Sequence, residues 1–527
     1  MRCWPKTRKP LIKRIHADVS RWVIDFAASL PDCQRGPLHM LQTLAKHESP
    51  RDHDLTACPE GLKFSLLEVT YSDLVFLEDF SRLASGIVDL IRLYGRGVPI
   101  RETEDILRWF EQMQTNPRGG SCLNIGHLDF TCKRRGSIPL LVKSADVQIF
   151  HVAPSAISLV ITVFPSQDFI KKLNALLSTN ARSDTVIMNF DVRRFRITGW
   201  GSISAQQVRY RELRELFLRL NKEIVCLIRR HIGVGMAMLG PLPSLEVFTT
   251  EGSSTTQSVS TNASQSDSPQ ERGFWSTLFM GPANPYGYSG ENIILYPPDP
   301  FSTFKYPVWR GLVDRQKFIA SEGCTDEEPA ISAELSFSVG ALGVLNSLIH
   351  HGTIIIGHLS AIRKNLSPTL SGRVGKRFNF RRLGRALGEM MRVMNLEFIV
   401  LRMMREVNQT DIRSLCSSLD LIGFTRQENE SESHELVDDV LWQISHNYRF
   451  SRSQMKLVKE SYDVLLGYQS MITAHKTQAR MLSFTWVLMV LTSVLACMTF
   501  LLLPQELRIE INKVFGEIVK WLHLRLT

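Results

Sequence analysis

The chain has 527 residues, 44% of them hydrophobic and 22% charged, a balance that excludes an intrinsically disordered protein and a wholly membrane-embedded one. Its length exceeds what one hydrophobic core accommodates, so we expect two or more domains. The formal net charge of +10 favours anionic neighbours such as lipid headgroups, nucleotides or nucleic acid, without selecting among them.

The N-terminal region, residues 1–122, is predicted to be mostly helical. Apolar residues recur at three- and four-residue steps in "SRWVIDFAASL" and "YSDLVFLEDFSRLASGIVDLIRLYG". The basic start, "MRCWPKTRKPLIKRIH", lacks the apolar core of a secretory signal and fits a solvated arm or a mitochondrial presequence. Five thiol and imidazole side chains are clustered in this region, and their spacing matches no zinc finger. They belong either to a polar loop or to a metal site, and they are Cys33, His39, His47, His53 and Cys58.

Residues 123–248 are predicted to form an α+β or α/β domain. "VQIFHV", "ISLVITVF" and "TVIMNFDVRRFRIT" are rich in β-branched and aromatic residues, as strands are. "SQDFIKKLNALLS" and "QVRYRELRELFLRLNKEIVCLIRRHIG" have the period of amphipathic helices. Two segments without regular structure should follow, a Ser/Thr-rich linker at 249–273 and a Pro- and Gly-rich segment at 274–332 with short edge strands.

Residues 333–452 are predicted to be a helical region. Leu335–Ile362 carries no formal charge and is long enough to span a bilayer, but three histidines and Asn346 make insertion costly. We interpret it as a helix followed by a buried strand or helix in the soluble core, with a re-entrant segment as the alternative. A Met-rich helix and an acidic loop, "RQENESESHE", complete the region.

The most basic stretch of the chain, residues 363–388, has two interleaved phenylalanines and no acidic residue. It is either a solvated basic face or a surface that binds the phosphates of an anionic lipid or a nucleotide. There is no specific nucleic-acid signal and no Walker A motif. The candidate anion- or lipid-binding residues are Arg373, Lys376, Arg377, Arg381, Arg382 and Arg385.

A stalk helix is predicted at 453–480, leading into a transmembrane helix at 481–504. Residues 455, 458, 462, 465, 469 and 472 follow heptad spacing, which is typical of a coiled coil or of packing within the chain. No proline interrupts 453–503, so one helix can run through both segments. No formal charge lies between Arg480 and Glu506, and the 24 residues from Met481 to Pro504 exceed the roughly 20 that a bilayer core requires.

One face of the predicted span carries small, hydroxylated and methionine side chains at alternating four- and three-residue steps. This face could pack against another helix or line a pore, or its hydroxyls could bond back to their own helix. The face consists of Thr485, Met489, Thr492, Ala496 and Thr499. The tail, 505–527, is an interfacial amphipathic helix or a poor remnant of a second span.

The distribution of charge and cysteine predicts where the chain lies. Four cationic residues precede the span and the tail has near-balanced charge, which predicts a single-pass protein with the bulk of the chain in the cytosol. Nine scattered cysteines without a CxxC pair fit that reducing compartment. The sequence does not say which membrane is used. It carries no catalytic signature such as GxSxG, HExxH or GxGxxG, so it gives no support for an enzyme.

The layout of the chain resembles CorA-type divalent cation channels over roughly residues 380–505. The stretch "SYDVLLGYQSMITAHKTQARMLSFTWVLMVLTSV" is similar in texture to their stalk and first span. The resemblance implies a homo-oligomer, a pentamer in that family, whose stalk continues into the pore-lining helix, and a divalent cation as cargo. The family's Gly-Met-Asn is replaced by "FLLLPQEL" and a second span is missing, so no filter residue is carried over.

Two functions are therefore expected from the sequence. The first is divergent divalent metal ion transport, or a relative that has lost conduction. The second is a membrane-anchored sensor or scaffold that binds an anionic ligand or a protein partner through its cytosolic domain.

Overall fold

The computed structural model divides into two compact units, described separately below. Unit 1 comprises residues 1–359 and 394–453, and unit 2 comprises 360–393 and 454–527. The residues that the structure describes are 56–96, 102–115, 121–131, 141–181, 184–191, 196–251, 274–275, 277–278, 286–288, 293–298, 307–323, 325, 328–370, 398–406, 413, 416, 424–429 and 432–526.

Unit 1 is built on a mixed sheet of ten strands, in the order β12-β11-β8-β9-β10-β7-β1-β4-β3-β2. Strand β10 pairs parallel with β7, and the other described pairs are antiparallel. A separate hairpin joins β5 and β6. The strands are β1 Lys63–Phe76, β2 Cys122–Asp129, β3 Val142–Ala153, β4 Ala156–Pro165, β5 Asp184–Asp191, β6 Arg196–Ile203, β7 Ser244–Glu251, β8 Tyr286–Tyr288, β9 Ile293–Tyr296, β10 Val308–Asp314, β11 Phe424–Asn429 and β12 Glu432–Glu435.

Helices of both units complete the described structure, and they confirm an α+β class with helices at the C-terminal end. Helix α6 and helix α7 each contribute residues to both units. The helices are α1 Phe80–Tyr94, α2 Thr103–Thr115, α3 Gln167–Leu177, α4 Ala205–His231, α5 Arg315–Glu322, α6 Glu328–Leu370, α7 Leu436–Leu502 and α8 Gln505–Leu526.

The strands and helices predicted within 123–248 are found in the structure, except that the one strand predicted over 185–198 corresponds to two paired strands, β5 and β6. Ser166 and Ser204 cap α3 and α4 by accepting the backbone N–H three residues on, as short hydroxylated residues do at helix starts. Helix α4 ends with Arg229 and Arg230, whose charges complement the C-terminal end of the helix dipole. Local signals therefore suffice for this part of the fold.

Strand β1 corrects part of the prediction for the N-terminal region: residues 71–76, predicted to begin a helix, are the end of a strand, whereas the rest of that stretch contains α1. The helix predicted at residues 20–30 lies outside the described residues. Ten consecutive residues of β1, Leu66 to Val75, are buried, because β1 lies inside the sheet with helices on both faces. A strand buried on both faces has no polar alternation, and its apolar residues matched the helical period by coincidence.

Two further segments predicted as loops or edges are ordered differently. Strand β10, in the segment predicted to hold only edge strands, is buried between β9 and β7. The predicted acidic loop forms β11 and β12 at one edge of the sheet. Charged side chains are common on edge strands because they oppose pairing with another chain.

Different helices cover the two faces of the sheet in unit 1. On one face, Arg214 of α4 contacts Glu246 of β7. On the other face, Ser347 of α6 accepts a hydrogen bond from Ser158 of β4, at 3.3 Å. Glycine allows α6 to lie close to the sheet, since a Cβ on Gly340 would stand 2.5 Å from the ring of Phe150. This part of unit 1 therefore has three layers, helix, sheet and helix.

The uncharged stretch 335–362 lies within one continuous helix, α6, so its second half is helical rather than a strand. Three of its polar side chains are buried and find separate partners, whereas His358 is exposed. Asn346 donates to the Ser244 carbonyl, His350 lies 3.2 Å from the Pro241 carbonyl, and His351 lies 2.9 Å from the Tyr448 hydroxyl. The two adjacent histidines therefore serve different contacts.

Candidate functional site: an exposed apolar helix

Two helical segments among the described residues are long and apolar enough to cross a membrane, by length and composition. Ser338–Lys364 has a mean hydropathy of 1.5 and is 83% buried inside the molecule. Thr473–Leu502, here called the exposed segment, has a mean hydropathy of 2.2 and none of it is buried. The two segments differ in burial, because the first is surrounded by other parts of the protein and the second is not.

The exposed segment presents large apolar side chains on all sides over its last six turns. Phe484, Trp486 and Leu495 are each about two-thirds exposed, and their neighbours from Met481 to Leu502 are similarly uncovered. A continuous apolar surface of this size on a soluble monomer marks a contact with a membrane or another protein. Lys476 and Arg480 are exposed at its N-terminal side.

The hydroxyls predicted on one face of the span are satisfied within their own helix. Thr485, Thr492 and Thr499 each donate to the carbonyl four residues earlier, at 2.8 Å, as does Ser493. This geometry lowers the cost of placing hydroxyls in an apolar medium, because no donor is left unpaired. Met489 and Ala496 complete the face and are also exposed.

A proline and an arginine end the exposed segment. Pro504 lacks the N–H that a continuing helix needs, and α8 begins at the next residue. Arg508 of α8 donates from Nε to the Leu503 carbonyl at 2.7 Å and from Nη2 to the Leu501 carbonyl. The guanidinium therefore satisfies carbonyl groups that the end of a helix leaves without a partner.

The stalk that leads into the exposed segment belongs to the same helix, α7. Met455, Val458 and Tyr462 of the predicted heptad seam are buried, each at most 1% exposed. The side chains of the seam's other members, Leu465, Gln469 and Ile472, lie outside the described residues. The buried half of the seam therefore has packing partners within the molecule.

The other predicted sites lie mostly outside the described residues. All six basic candidates between Arg373 and Arg385 do, and so do Cys33, His39, His47 and His53. Cys58 is described; its thiol donates to the Leu62 carbonyl at 3.5 Å, and burial raises its pKa to about 11. Within the part of the chain that the structure describes, no three Cys, His, Asp or Glu side chains are grouped to hold a metal ion.

The structure also places carboxylates in the core of unit 1 that the sequence analysis missed. Glu246 of β7 lies between two arginines, 2.7 Å from Nη1 of Arg214 and 3.0 Å from Nε of Arg310, and all three are buried. Asp73 accepts the backbone N–H groups of Met236 at 2.5 Å and Ala237 at 3.3 Å. An acidic residue inside a mostly apolar strand was the signal available for each of them.

Glycine is required beside Asp73. Gly235 has a φ of 81°, in the left-handed region, and a Cβ there would stand 2.5 Å from the Asp73 carboxylate. Burial raises the pKa of Asp73 to about 7 against the opposing effect of its backbone hydrogen bonds. Asp73 therefore acts as a fixed acceptor that orders the chain after α4.

Glu68 is a buried acid on the opposite face of β1. Ser332 of α6 donates to its Oε2, and Oε1 has no hydrogen-bond donor among the described residues. Burial, opposed by the Ser332 hydrogen bond and helped by the charge of Asp146, raises the pKa of Glu68 to about 7. The folded protein therefore keeps Glu68 protonated to a pH well above that at which an exposed glutamate ionises.

Glu68→Gln is expected to remove a pH dependence of stability. In the wild type, Glu68 binds a proton in the folded state between its ordinary pKa of 4.5 and about 7, whereas the unfolded chain does not. The free energy of unfolding should therefore fall, by on the order of 3 kcal/mol, as the pH rises through this window. Urea unfolding at pH 5 and pH 8 measures the effect. Glutamine should reduce the difference between the two pH values, and the exposed control Glu60→Gln should leave it unchanged.

No family model, curated protein or solved structure matches the chain.

Proposed function

We propose that the chain is an integral membrane protein that the exposed segment anchors once, with the large part of the chain N-terminal to that segment in the cytosol. The observation that carries this proposal is an apolar helix of thirty residues with no part buried. Water is a poor solvent for such a surface and a bilayer core is a good one. The orientation rests on Lys456, Lys459, Lys476 and Arg480 on one side, against near-balanced charge in the tail.

Within this class, we propose a homo-oligomer with the layout of CorA-type channels, either a divergent divalent metal ion transporter or a relative that has lost conduction. Support comes from α7, which runs for 67 residues without interruption, roughly 100 Å, from the stalk into the exposed segment. A rod of that length lets a stalk on one side of a membrane move together with its span. The divalent cation is cargo in this proposal.

Ion flux tests the transport proposal. The protein is reconstituted into liposomes that contain a divalent-cation dye, and Thr492→Trp is compared with Val490→Trp, which places the same bulk on the opposite side of the helix. If the Thr485–Thr499 face lines a pore, Thr492→Trp should abolish wild-type flux and Val490→Trp should retain most of it. A strictly monomeric protein in detergent, or equal effects of both variants, would contradict the pore.

A second function, a membrane-anchored sensor or scaffold, is favoured by one specific observation. "FLLLPQEL" follows the span in place of Gly-Met-Asn, and the charged helix α8 stands where a second span would be needed. In this case the basic stretch binds an anionic lipid or a nucleotide. Replacing Arg381, Arg382 and Arg385 with glutamine should abolish that binding, and the same change at the exposed residues Arg82, Arg92 and Arg108 should not.

A further inference from the structure

We propose that α8 lies flat in the membrane interface at the end of the span, with its apolar face in contact with lipid. The proposal rests on the membrane insertion of the exposed segment. The apolar face of α8 contacts the bilayer surface. Two observations support this placement: the arrangement of side chains on α8 and the short connection to α7.

Helix α8 divides into an apolar and a charged face. Most of its apolar side chains fall within one arc of the helix, and each of these is more than a third exposed, with Phe515 at 65%; Ile509 and Leu524, also exposed, lie outside this arc. Glu506, Glu510, Lys513, Glu517 and Lys520 lie on the opposite side. The apolar face consists of Leu507, Ile511, Val514, Phe515, Ile518, Val519, Trp521 and Leu522.

The connection fixes where α8 begins. Only Leu503 and Pro504 separate it from α7, and two residues extend at most about 7 Å. The side chain of Arg508 reaches back to the carbonyls of Leu501 and Leu503, so its charge is held at the end of the span. A helix tied to that point, with one apolar face, buries the face by lying along the surface.

A second transmembrane helix is disfavoured by the charges of α8. Its 22 residues could reach across a bilayer, but Glu510, Lys513, Glu517 and Lys520 would then lie in the hydrocarbon region. In the interfacial arrangement the same four side chains face water. Among the described residues, segments of α6 and α7 are long and apolar enough to cross a membrane, and α8 is not.

The far end of α8 has the composition of an interface anchor. The guanidinium of Arg525 lies 4.4 Å from the ring centre of Trp521, in a cation–π contact. Tryptophan prefers the headgroup level of a bilayer, where its ring is in an apolar layer and its N–H is hydrated. Because positive and negative charges nearly balance along the tail, the apolar face and not headgroup charge should determine the contact.

Cysteine labelling in vesicles tests the orientation. Full-length protein carrying Phe515→Cys or Val514→Cys on the apolar face is compared with Gly516→Cys or Lys513→Cys on the other. A membrane-impermeant maleimide is supplied on both sides of phosphatidylcholine vesicles, and mass spectrometry of the tail peptide reports the labelled fraction. No native cysteine lies in the tail, and labelling in SDS gives the maximum for each site.

Residues 513 and 516 should label severalfold more than 514 and 515. Protection of all four sites would mean a second span, and labelling of all four would mean a tail in solvent; either result overturns the proposal. If residues 514 and 515 are protected only when the vesicles contain an anionic lipid, the apolar contact is not the cause of the protection, and the proposal is overturned. Native Cys497 within the span should stay protected throughout, and if it labels, the membrane insertion has failed rather than the placement of α8.

Discussion

Replacing both Leu491 and Val494 with lysine is expected to prevent stable membrane insertion. Both side chains are about half exposed in the middle of the apolar run, with no acidic residue near them in sequence. Each lysine at the centre of a transmembrane helix costs about 2.5–3.5 kcal/mol on an insertion scale, so two offset most of the gain from the remaining apolar residues. Extraction of membranes with alkaline carbonate measures the result: the wild type should stay in the pellet and the double variant should move largely to the supernatant.

Two lysines placed outside the apolar run are the matched control. Val464 and Met471 are more than 60% exposed on α7 and precede the exposed segment. Lysine at both positions adds the same charge and should leave the protein in the pellet. A wild type that carbonate extracts, or a Leu491–Val494 double variant that stays in the pellet, would contradict the assignment of this helix to the membrane.

Glu246→Gln should have the largest effect on the stability of unit 1. The carboxylate is 1% exposed and is the shared partner of Arg214 and Arg310, so glutamine leaves two buried guanidinium groups without their counter-charge. Removing one partner of a buried ion pair typically costs 3–5 kcal/mol, and we expect a loss of about that size here. Urea unfolding of the detergent-solubilised protein, followed by the circular dichroism of the sheet, measures it.

The same substitution at Glu251, on the same strand, is the control. Glu251 is 24% exposed and lies 2.7 Å from the 80%-exposed Lys63 and 3.4 Å from Nε of Arg315, and ion pairs open to solvent contribute only about 0–1 kcal/mol. Glu251→Gln should therefore shift the urea midpoint little. Equal shifts for the two variants would mean that the buried charge cluster does not hold α4 and β10 to β7.

Local pattern was sufficient for the elements whose periodicity, capping residue or composition is distinctive. Helices α3 and α4 and strands β3 and β4 were predicted because periodicity, a serine cap or β-branched composition identifies each of them. Strands β1 and β4 are both buried on two faces, which erases the alternation that identifies a strand, and β1 was missed because only three of its 14 residues are β-branched, against five of ten in β4. The position of β1 depends on distant residues, which no local pattern encodes.

The exposed segment was predictable from the sequence, because a long uncharged run is recognised without tertiary information. Two such runs occur, and only histidines and an asparagine in α6 indicated which one is buried. The buried charges were not predicted as a cluster, because Arg214, Glu246 and Arg310 are brought together by α4, β7 and β10, far apart in sequence. A charged residue inside an apolar strand signals a partner without identifying it.

Protease mapping of both ends of the chain in sealed vesicles tests the central claim most directly. A single span with an interfacial tail predicts that an epitope at the N-terminal end and one after α8 lie on opposite sides of the membrane. In vesicles of one orientation, protease should remove one epitope and spare the other until detergent is added. Both epitopes on the same side would contradict the account, because that result requires either a second span or none.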